Sequence, residues 1–135
     1  LKPLMAEENA APRGTVVIGT VKGDRHDIGK NLVKMMLEGK GLKVIDLGVD
    51  VPAAKYVAAA EENGADIIAC SALLTTTMPE MEKVVALVKD SPLAGKVHIM
   101  IGGAPVTQGY CDKIGADRYT PDAATCADVA VELCS

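Results

Sequence analysis

The sequence predicts an α/β fold built on one doubly wound parallel sheet, and three observations support this. Short apolar runs rich in β-branched residues alternate five times with helical segments from Gly14 onward. Glycine or proline separates most of these segments, as expected of turns. Apolar residues make up 49% of the 135-residue chain, enough for one buried core. Because right-handed crossovers allow few topologies, we expect a five-stranded flavodoxin-like (Rossmann-type) sheet in strand order 2-1-3-4-5.

The five predicted strands are apolar runs bounded by turn residues. The first begins at Thr15, and its continuous β-branched run is typical of a strand buried on both faces. The predicted strands are 15–21, 43–47, 66–70, 96–101 and 117–119.

Each strand is followed by a segment with helical features. In the first segment Ile28, Leu32, Met35 and Met36 recur at helical spacing, and the glycines within 39–41 end the helix. Proline is favoured in the first turn of a helix, which predicts where most of the later helices begin. The later helices are expected to open at Pro52, Pro79, Pro105 and Asp122.

Residues 1–13 differ from the rest of the chain because they are polar and alanine-rich. We interpret them as a linker or the end of a preceding helix, and we expect a single domain over 14–135. The formal net charge of −4 and the lack of a basic stripe argue against a nucleic-acid partner. No apolar run approaches the roughly 20 residues that cross a bilayer, so no membrane partner is expected.

The cysteines favour a reducing cytoplasm. Cys70, Cys111, Cys126 and Cys134 form no CxxC pair, so neither a zinc site nor a disulfide scaffold is well supported. Plain thiols in a cytoplasmic protein are the preferred interpretation.

The carboxyl ends of the predicted strands carry most of the residues with chemical potential. In a doubly wound sheet, ligands bind in the crevice beyond these ends, at the switch point between the first and third strands. The segments expected to face this crevice are 23–29, 71–77, 102–103 and 119–122.

His26 is the candidate metal ligand of this edge. Neutral imidazole binds transition metals, and Asp24 can hold its other ring nitrogen and fix the tautomer. A lone histidine cannot build a zinc site, but it suits a metal that arrives with its other ligands, such as cobalt in a corrin ring. The plainer alternative is that Asp24 caps a helix, His26 is a solvated loop residue, and 75–77 caps the helix at Pro79.

Three glycines favour a narrow slot beside this loop. Gly19, Gly102 and Gly103 remove side chains from adjacent parts of the crevice, where a long substituent could pass close to the backbone. The hydroxyls of Ser71 and Thr75 could bond to polar atoms of that substituent. Taken alone, 102–103 could equally be a simple turn.

Together these residues resemble the cobalamin-binding domain family, whose signature is DxHxxG, SxL and GG in that order. Here Asp24-x-His26-x-x-Gly29 is followed after 41 residues by Ser71-x-Leu73, and after a further 28 residues by Gly102-Gly103. The resemblance extends over nearly everything after Gly14. It is strongest to corrinoid proteins of methanol, methylamine and methoxy-aromatic methyltransferase systems, and the cobalamin domain of methionine synthase is also similar.

The resemblance implies a role for each motif residue. His26 would bind cobalt in place of the cofactor's own lower base (base-off/His-on), Asp24 would hold the imidazole, and the Thr77 hydroxyl would extend this relay. These three would be the catalytic residues. Further cofactor contacts are implied for Arg25, Asp27, Ile28, Gly29, Ser71, Leu73, Thr75, Gly102, Gly103, Tyr119 and Asp122.

The resemblance also implies a function. The chain would be a methyl carrier that cycles between cobalt(I) and methyl-cobalt(III), serving a methyl-donor methyltransferase and a pterin or thiol acceptor methyltransferase. It would show little turnover alone. Such relatives carry an N-terminal helical bundle that caps the corrin, and residues 1–13 would be its end.

Several alternatives stay open at this point. The chain could be the small subunit of an adenosylcobalamin-dependent mutase, or a corrinoid light or redox sensor. A signalling receiver would need an aspartate at the end of the third strand, where this chain has Cys70-Ser71. A flavin site usually stacks its ring on aromatic side chains, and the chain has three tyrosines, no phenylalanine and no tryptophan.

Overall fold

The computed structural model describes residues 14–103, 105–120 and 122–134. Five strands and five helices alternate along this part of the chain. The strands are β1 (Thr15–Thr20), β2 (Lys43–Asp46), β3 (Ile67–Ser71), β4 (His98–Gly102) and β5 (Arg118–Tyr119). The helices are α1 (Ile28–Gly39), α2 (Ala53–Asn63), α3 (Pro79–Lys89), α4 (Gln108–Ile114) and α5 (Ala123–Cys134).

All strand pairs are parallel, and the sheet has the order β2-β1-β3-β4-β5. The predicted fold class and strand order are therefore confirmed. The predicted strand bounds differ from the observed ones by one or two residues. The largest shift is at the start of β4, where turns before His98 delay the strand. The predicted linker over 1–13 lies outside the described residues.

The sheet separates two cores. On one face Val17, Ile68 and Ile101 pack against α2, α3 and α4, with Tyr56 and Met81 completely buried there. A continuous apolar strand in a parallel sheet needs cover on both faces, and the helices provide it.

On the opposite face, α1 and α5 cover the sheet. Val16, Ile18 and Met100 pack there against Leu37 of α1 and Ala130 of α5. This face carries the slot described below.

Three of the apolar residues whose spacing predicted helix α1 remain exposed. Leu32, Met35 and Met36 are 47%, 59% and 38% exposed, whereas Leu37 of the same helix is completely buried. The helical spacing was correct, but a second stripe of the helix, with Val33 and Leu37, packs on the sheet.

Candidate functional site

The loop between β1 and α1 holds a buried carboxylate, Asp24, at the carboxyl edge of the sheet. Its Oδ2 accepts hydrogen bonds from the Leu73 backbone N–H at 2.7 Å and the Thr77 hydroxyl at 3.0 Å. Its Oδ1 lies 3.1 Å from the His26 backbone nitrogen and 2.6 Å from His26 Nδ1. Asp24 thus joins the ends of β1 and β3, and the interpretation that it caps a helix is wrong.

These contacts decide the charge of Asp24. Burial acts to raise its pKa, but the hydrogen bonds from Leu73, His26 and Thr77 outweigh burial and lower the pKa to about 2. The group is therefore an ionised carboxylate at neutral pH.

The ionised carboxylate orients the imidazole of His26. Because a carboxylate only accepts hydrogen bonds, the Nδ1 of His26 carries the proton and Nε2 presents its lone pair. The backbone is held as well, since the Thr20 hydroxyl donates to the His26 carbonyl at 2.8 Å. The His26 side chain is 51% exposed, so Nε2 is open to a ligand from outside the protein.

Asp50 steadies the same loop from the segment that follows β2. Its Oδ1 accepts a hydrogen bond from the Gly23 backbone N–H at 2.7 Å, and its own N–H donates to the Asp24 carbonyl at 2.9 Å. Its carboxylate also lies 3.6 Å from the Arg25 guanidinium. Asp50 is the one non-glycine residue with a positive φ (55°) among those described. This residue was missed from the sequence, because its contacts cross 27 positions of the chain.

Beside the loop, a slot opens between the sheet and the helices α1 and α5. It is a cavity of about 410 Å³ whose described lining comes from β1, β3 and β4 on one side and the two helices on the other. Of the predicted cofactor contacts, the lining includes Gly29, Ser71, Leu73, Gly102, Gly103 and Asp122.

The two glycines at the end of β4 leave the end of the slot open and let the neighbouring backbone segments approach closely. A Cβ on Gly103 would lie 1.8 Å from the Ala72 carbonyl oxygen, and its φ of +135° is one that other residues rarely adopt. A Cβ on Gly102 would lie 3.2 Å from the Thr120 carbonyl oxygen. Any larger residue at Gly103 must therefore move the backbone.

Some predicted residues do not reach the slot. A Cβ on Gly19 would point to the Tyr56 hydroxyl at 3.0 Å, on the opposite face of the sheet. Tyr119 also packs against the core of that opposite face, and its neighbour Thr120 lines the slot instead. Successive residues of a strand face opposite sides, so a one-residue difference decides the assignment.

Thr75 is exposed in the turn after β3 and is not part of the slot lining. The chain turns back at this point, which brings Thr77 rather than Thr75 inward. Arg25 and Asp27 are exposed in the His26 loop, and the side chain of Ile28 lies outside what the structure describes.

Lys30 lines the slot and is almost completely buried, a placement that sequence reasoning missed. Its Nζ lies 2.8 Å from both carboxylate oxygens of Asp46 and 2.8 Å from the Asn31 side-chain oxygen. Burial acts to raise the pKa of Asp46, but the hydrogen bond and charge of Lys30 lower it overall. The ion pair ties the start of α1 to the end of β2.

The geometry agrees with comparisons to known proteins. The family model described as the B12 binding domain matches residues 14–128, which contain the His26 loop, the slot and both glycines. The chain belongs to this B12-binding domain family. The predicted resemblance is therefore confirmed.

Individual members of the family are close in sequence and structure. The chain is 48% identical over 134 residues to dimethylamine corrinoid protein 3 of Methanosarcina mazei, covering 98% of this chain and 80% of that protein. It superimposes on a cobalamin-binding protein from Desulfitobacterium hafniense with a TM-score of 0.87 at 35% identity, covering 90% of this chain and 59% of the other.

It also superimposes on a chain of the methanol:cobalamin methyltransferase complex MtaBC from Methanosarcina barkeri, with a TM-score of 0.87 at 32% identity. That match covers 95% of this chain and 50% of the other. These solved members are thus considerably longer than the chain described here.

Within the described part of this B12-binding domain, no three His, Cys, Asp or Glu side chains cluster as a metal site would require. No helix among the described residues is long and apolar enough to cross a membrane.

The donor set at the loop is one exposed imidazole nitrogen, which fits a metal whose other ligands come with its cofactor.

Proposed function

We propose that this chain is the corrinoid-carrying methyl carrier of a methyltransferase system. The observation that carries the proposal is the His26 imidazole, fixed at Nδ1 by a buried carboxylate and open at Nε2 beside the mouth of an apolar slot. Relatives named as dimethylamine corrinoid proteins support it, as does the likeness to a chain of the methanol:cobalamin methyltransferase complex.

In this proposal different residues would hold different parts of the cofactor. His26 Nε2 would bind the cobalt of the corrinoid, and the slot would take the nucleotide tail of the cofactor. Gly102 and Gly103 would let the tail pass close to the backbone, and Ser71 and Asp122, which also line the slot, would offer partners to its polar part. The bound corrinoid supplies the metal that accepts and releases the methyl group.

Asp24 and Thr77 set the ligand strength of His26. A carboxylate on Nδ1 makes an imidazole more basic and holds its orientation, which favours ligation through Nε2. The hydrogen bond between Asp24 and Nδ1 would keep the imidazole in the same orientation whether or not Nε2 holds the metal. The Thr77 hydroxyl keeps its hydrogen bond to the other carboxylate oxygen in both states.

The partners follow from the same proposal. One methyltransferase delivers the methyl group and a second removes it to a pterin or thiol, so the chain alone shows little turnover. A cytoplasmic location suits this role. The alternative of a mutase small subunit is less well supported, because the named relatives are corrinoid proteins of methylamine systems.

An absorption spectrum tests the ligand assignment. The protein is mixed with hydroxocobalamin and desalted, and we expect a retained red chromophore whose spectrum indicates histidine coordination. In His26→Ala we expect some corrinoid to be retained through the slot, with the histidine-dependent shift lost.

His98→Ala is the matched control, because His98 is the only other histidine of the sequence and is exposed at the far end of β4. Its spectrum should equal that of the unmodified protein. If His26→Ala also leaves the spectrum unchanged, His26 is not the ligand.

A further inference from the structure

The slot has two layers of different polarity. Two strands, β3 and β4, and the two helices each contribute one residue near the mouth and one about a turn or two residues deeper. On the strands, Ser71 lies opposite Gly102 at the mouth, and Ala69 lies opposite Ile18 and Met100 further in. Two residues of a strand span about 6–7 Å, which is the separation of the layers.

The helices repeat this arrangement. On α5, Asp122 precedes the helix and Cys126 follows one turn later. On α1, Lys30 is in the first turn and Val33 comes one turn later. The floor of the slot is thus formed by Ile18, Val33, Ala69, Met100 and Cys126.

The mouth is polar and the floor is not. Ser71, Thr120 and Asp122 offer oxygen atoms at the mouth, whereas the five floor side chains contain no oxygen or nitrogen. The backbone groups of the floor strands are paired within the parallel sheet.

The two polar groups nearest the floor are the Lys30 ammonium, which already has hydrogen-bond partners, and the Cys126 thiol, which is neutral. The Lys30 ammonium bonds to Asp46 and Asn31. Burial raises the pKa of the Cys126 thiol to about 11, so it stays neutral, and it shares a hydrogen bond with Thr120. A thiol is a weak hydrogen-bond partner.

Among the residues that the structure describes, a base that reached this floor would find almost no partner for polar atoms on its edge. A purine such as adenine would bury an exocyclic amino group and ring nitrogens there, and each unsatisfied group carries a desolvation penalty. The six-membered ring of a benzimidazole presents only C–H or methyl groups at its edge, which gain from apolar contact.

We infer that the slot selects corrinoids whose nucleotide tail ends in an apolar aromatic base of the benzimidazole type over those whose tail ends in adenine. This inference rests on the proposed function, because it assumes that the slot takes the tail. It adds a chemical class of cofactor that the family match leaves open.

The test compares the affinity of the unmodified protein for three corrinoids by equilibrium dialysis. These are hydroxocobalamin, its adeninyl analogue, and cobinamide, which has no nucleotide tail. We expect cobalamin to bind about tenfold tighter than the adeninyl form, or about 1.4 kcal/mol, and cobinamide to bind more weakly than cobalamin. Adenine is the weaker cobalt ligand, so the adeninyl corrinoid releases its own base from cobalt more easily in free solution. This effect alone would favour binding of the adeninyl form, which is opposite to the order we expect.

Each outcome is decisive. Equal affinity for cobalamin and the adeninyl form, both tighter than cobinamide, would overturn the inference and leave the proposed function standing. Equal affinity for all three would show that the slot takes no tail, which also overturns it. If none of the three binds, the proposed function fails together with the inference.

A matched pair of variants locates the effect. Cys126→Ser adds a hydroxyl to the slot floor, and we expect it to reduce the cobalamin-to-adeninyl affinity ratio about threefold, because a hydroxyl is a stronger partner than a thiol. Cys111→Ser makes the same change in a buried cysteine on the opposite face of the sheet. It should leave the ratio unchanged, and an equal change in both variants contradicts the assignment of the floor.

Discussion

At the scale of single residues, Asp24 joins more of this site than any other described side chain. It is completely buried, and burying an ionised carboxylate is costly unless hydrogen bonds replace the lost water. Leu73, Thr77 and His26 supply these bonds from two separate segments. The same contacts fold the edge of the sheet and orient the imidazole, so stability and ligand geometry depend on one carboxylate.

Asp24→Asn should therefore destabilise the protein by roughly 1.5–3 kcal/mol, in the range for hydrogen bonds to a buried charged group. The asparagine nitrogen cannot accept a hydrogen bond, which leaves at least one of the donors around it unpaired. The free energy of unfolding in urea measures this. Asp27→Asn in the same loop is the control, because Asp27 is exposed, and an equal loss in both variants would contradict this role of Asp24.

Asp50 combines a strained backbone with a carboxylate contact, and substitutions separate the two. Asp50→Asn keeps an oxygen for the Gly23 N–H and tolerates the positive φ, so we expect little loss of stability. Asp50→Gly relieves the backbone but loses the contact. Asp50→Ala loses both, and we expect it to be the least stable, by about 1–3 kcal/mol. Thermal unfolding of the three variants gives the order, and an Ala variant equal to Asn contradicts it.

At the scale of elements, α1 carries two apolar stripes, and only one of them packs on the sheet. Leu37 is completely buried against the sheet, whereas Met35 and Met36 are exposed and Leu32, although half exposed, lines the slot. Their spacing predicted a helix correctly, since any apolar stripe with this period does so. The spacing could not say which stripe is buried, because that depends on how the helix packs on the sheet.

A pair of truncations tests this orientation. Leu37→Ala should cost about 2–5 kcal/mol of stability, as expected for a buried leucine. Met35→Ala should change stability by no more than about 0.5 kcal/mol, as expected for an exposed side chain. Urea unfolding measures both. Comparable losses would show that the outward stripe is buried in solution.

At the scale of the whole molecule, two carboxylates tie the sheet edge to its helices and loops. Asp24 and Asp46 both have pKa values below the usual range, because their hydrogen bonds and, for Asp46, the charge of Lys30 outweigh the effect of burial. A carboxylate with a lowered pKa in the folded state stabilises the fold once it is ionised.

In the cofactor-free protein, the contribution of these two carboxylates to the free energy of unfolding should therefore be fully present above a pH of about 4, near the unfolded pKa of a carboxylate. It should fall as the pH drops through about 2, where Asp24 becomes protonated in the folded state. Thermal unfolding from pH 6 down to pH 2 measures the loss. In Asp24→Asn the slope should be smaller, and an unchanged slope would show that other groups control acid unfolding.

The sequence by itself determined the fold class, the order of elements and the family. Strand and helix periodicity are local properties, and the motifs around His26, Ser71 and Gly102 keep fixed separations along the chain. These signals need no knowledge of how the elements pack. The hydrogen bond between Thr77 and Asp24 was also expected, although only through the family resemblance.

Only the tertiary structure decided which side chains reach the slot. A strand turns successive residues to opposite faces, so Thr120 lines the slot while Tyr119 packs on the other side. Asp50 and the Lys30–Asp46 pair were not foreseen, because their contacts join segments that are distant in the sequence. Their roles depend on distances between elements, and these distances are set by packing rather than by any local pattern.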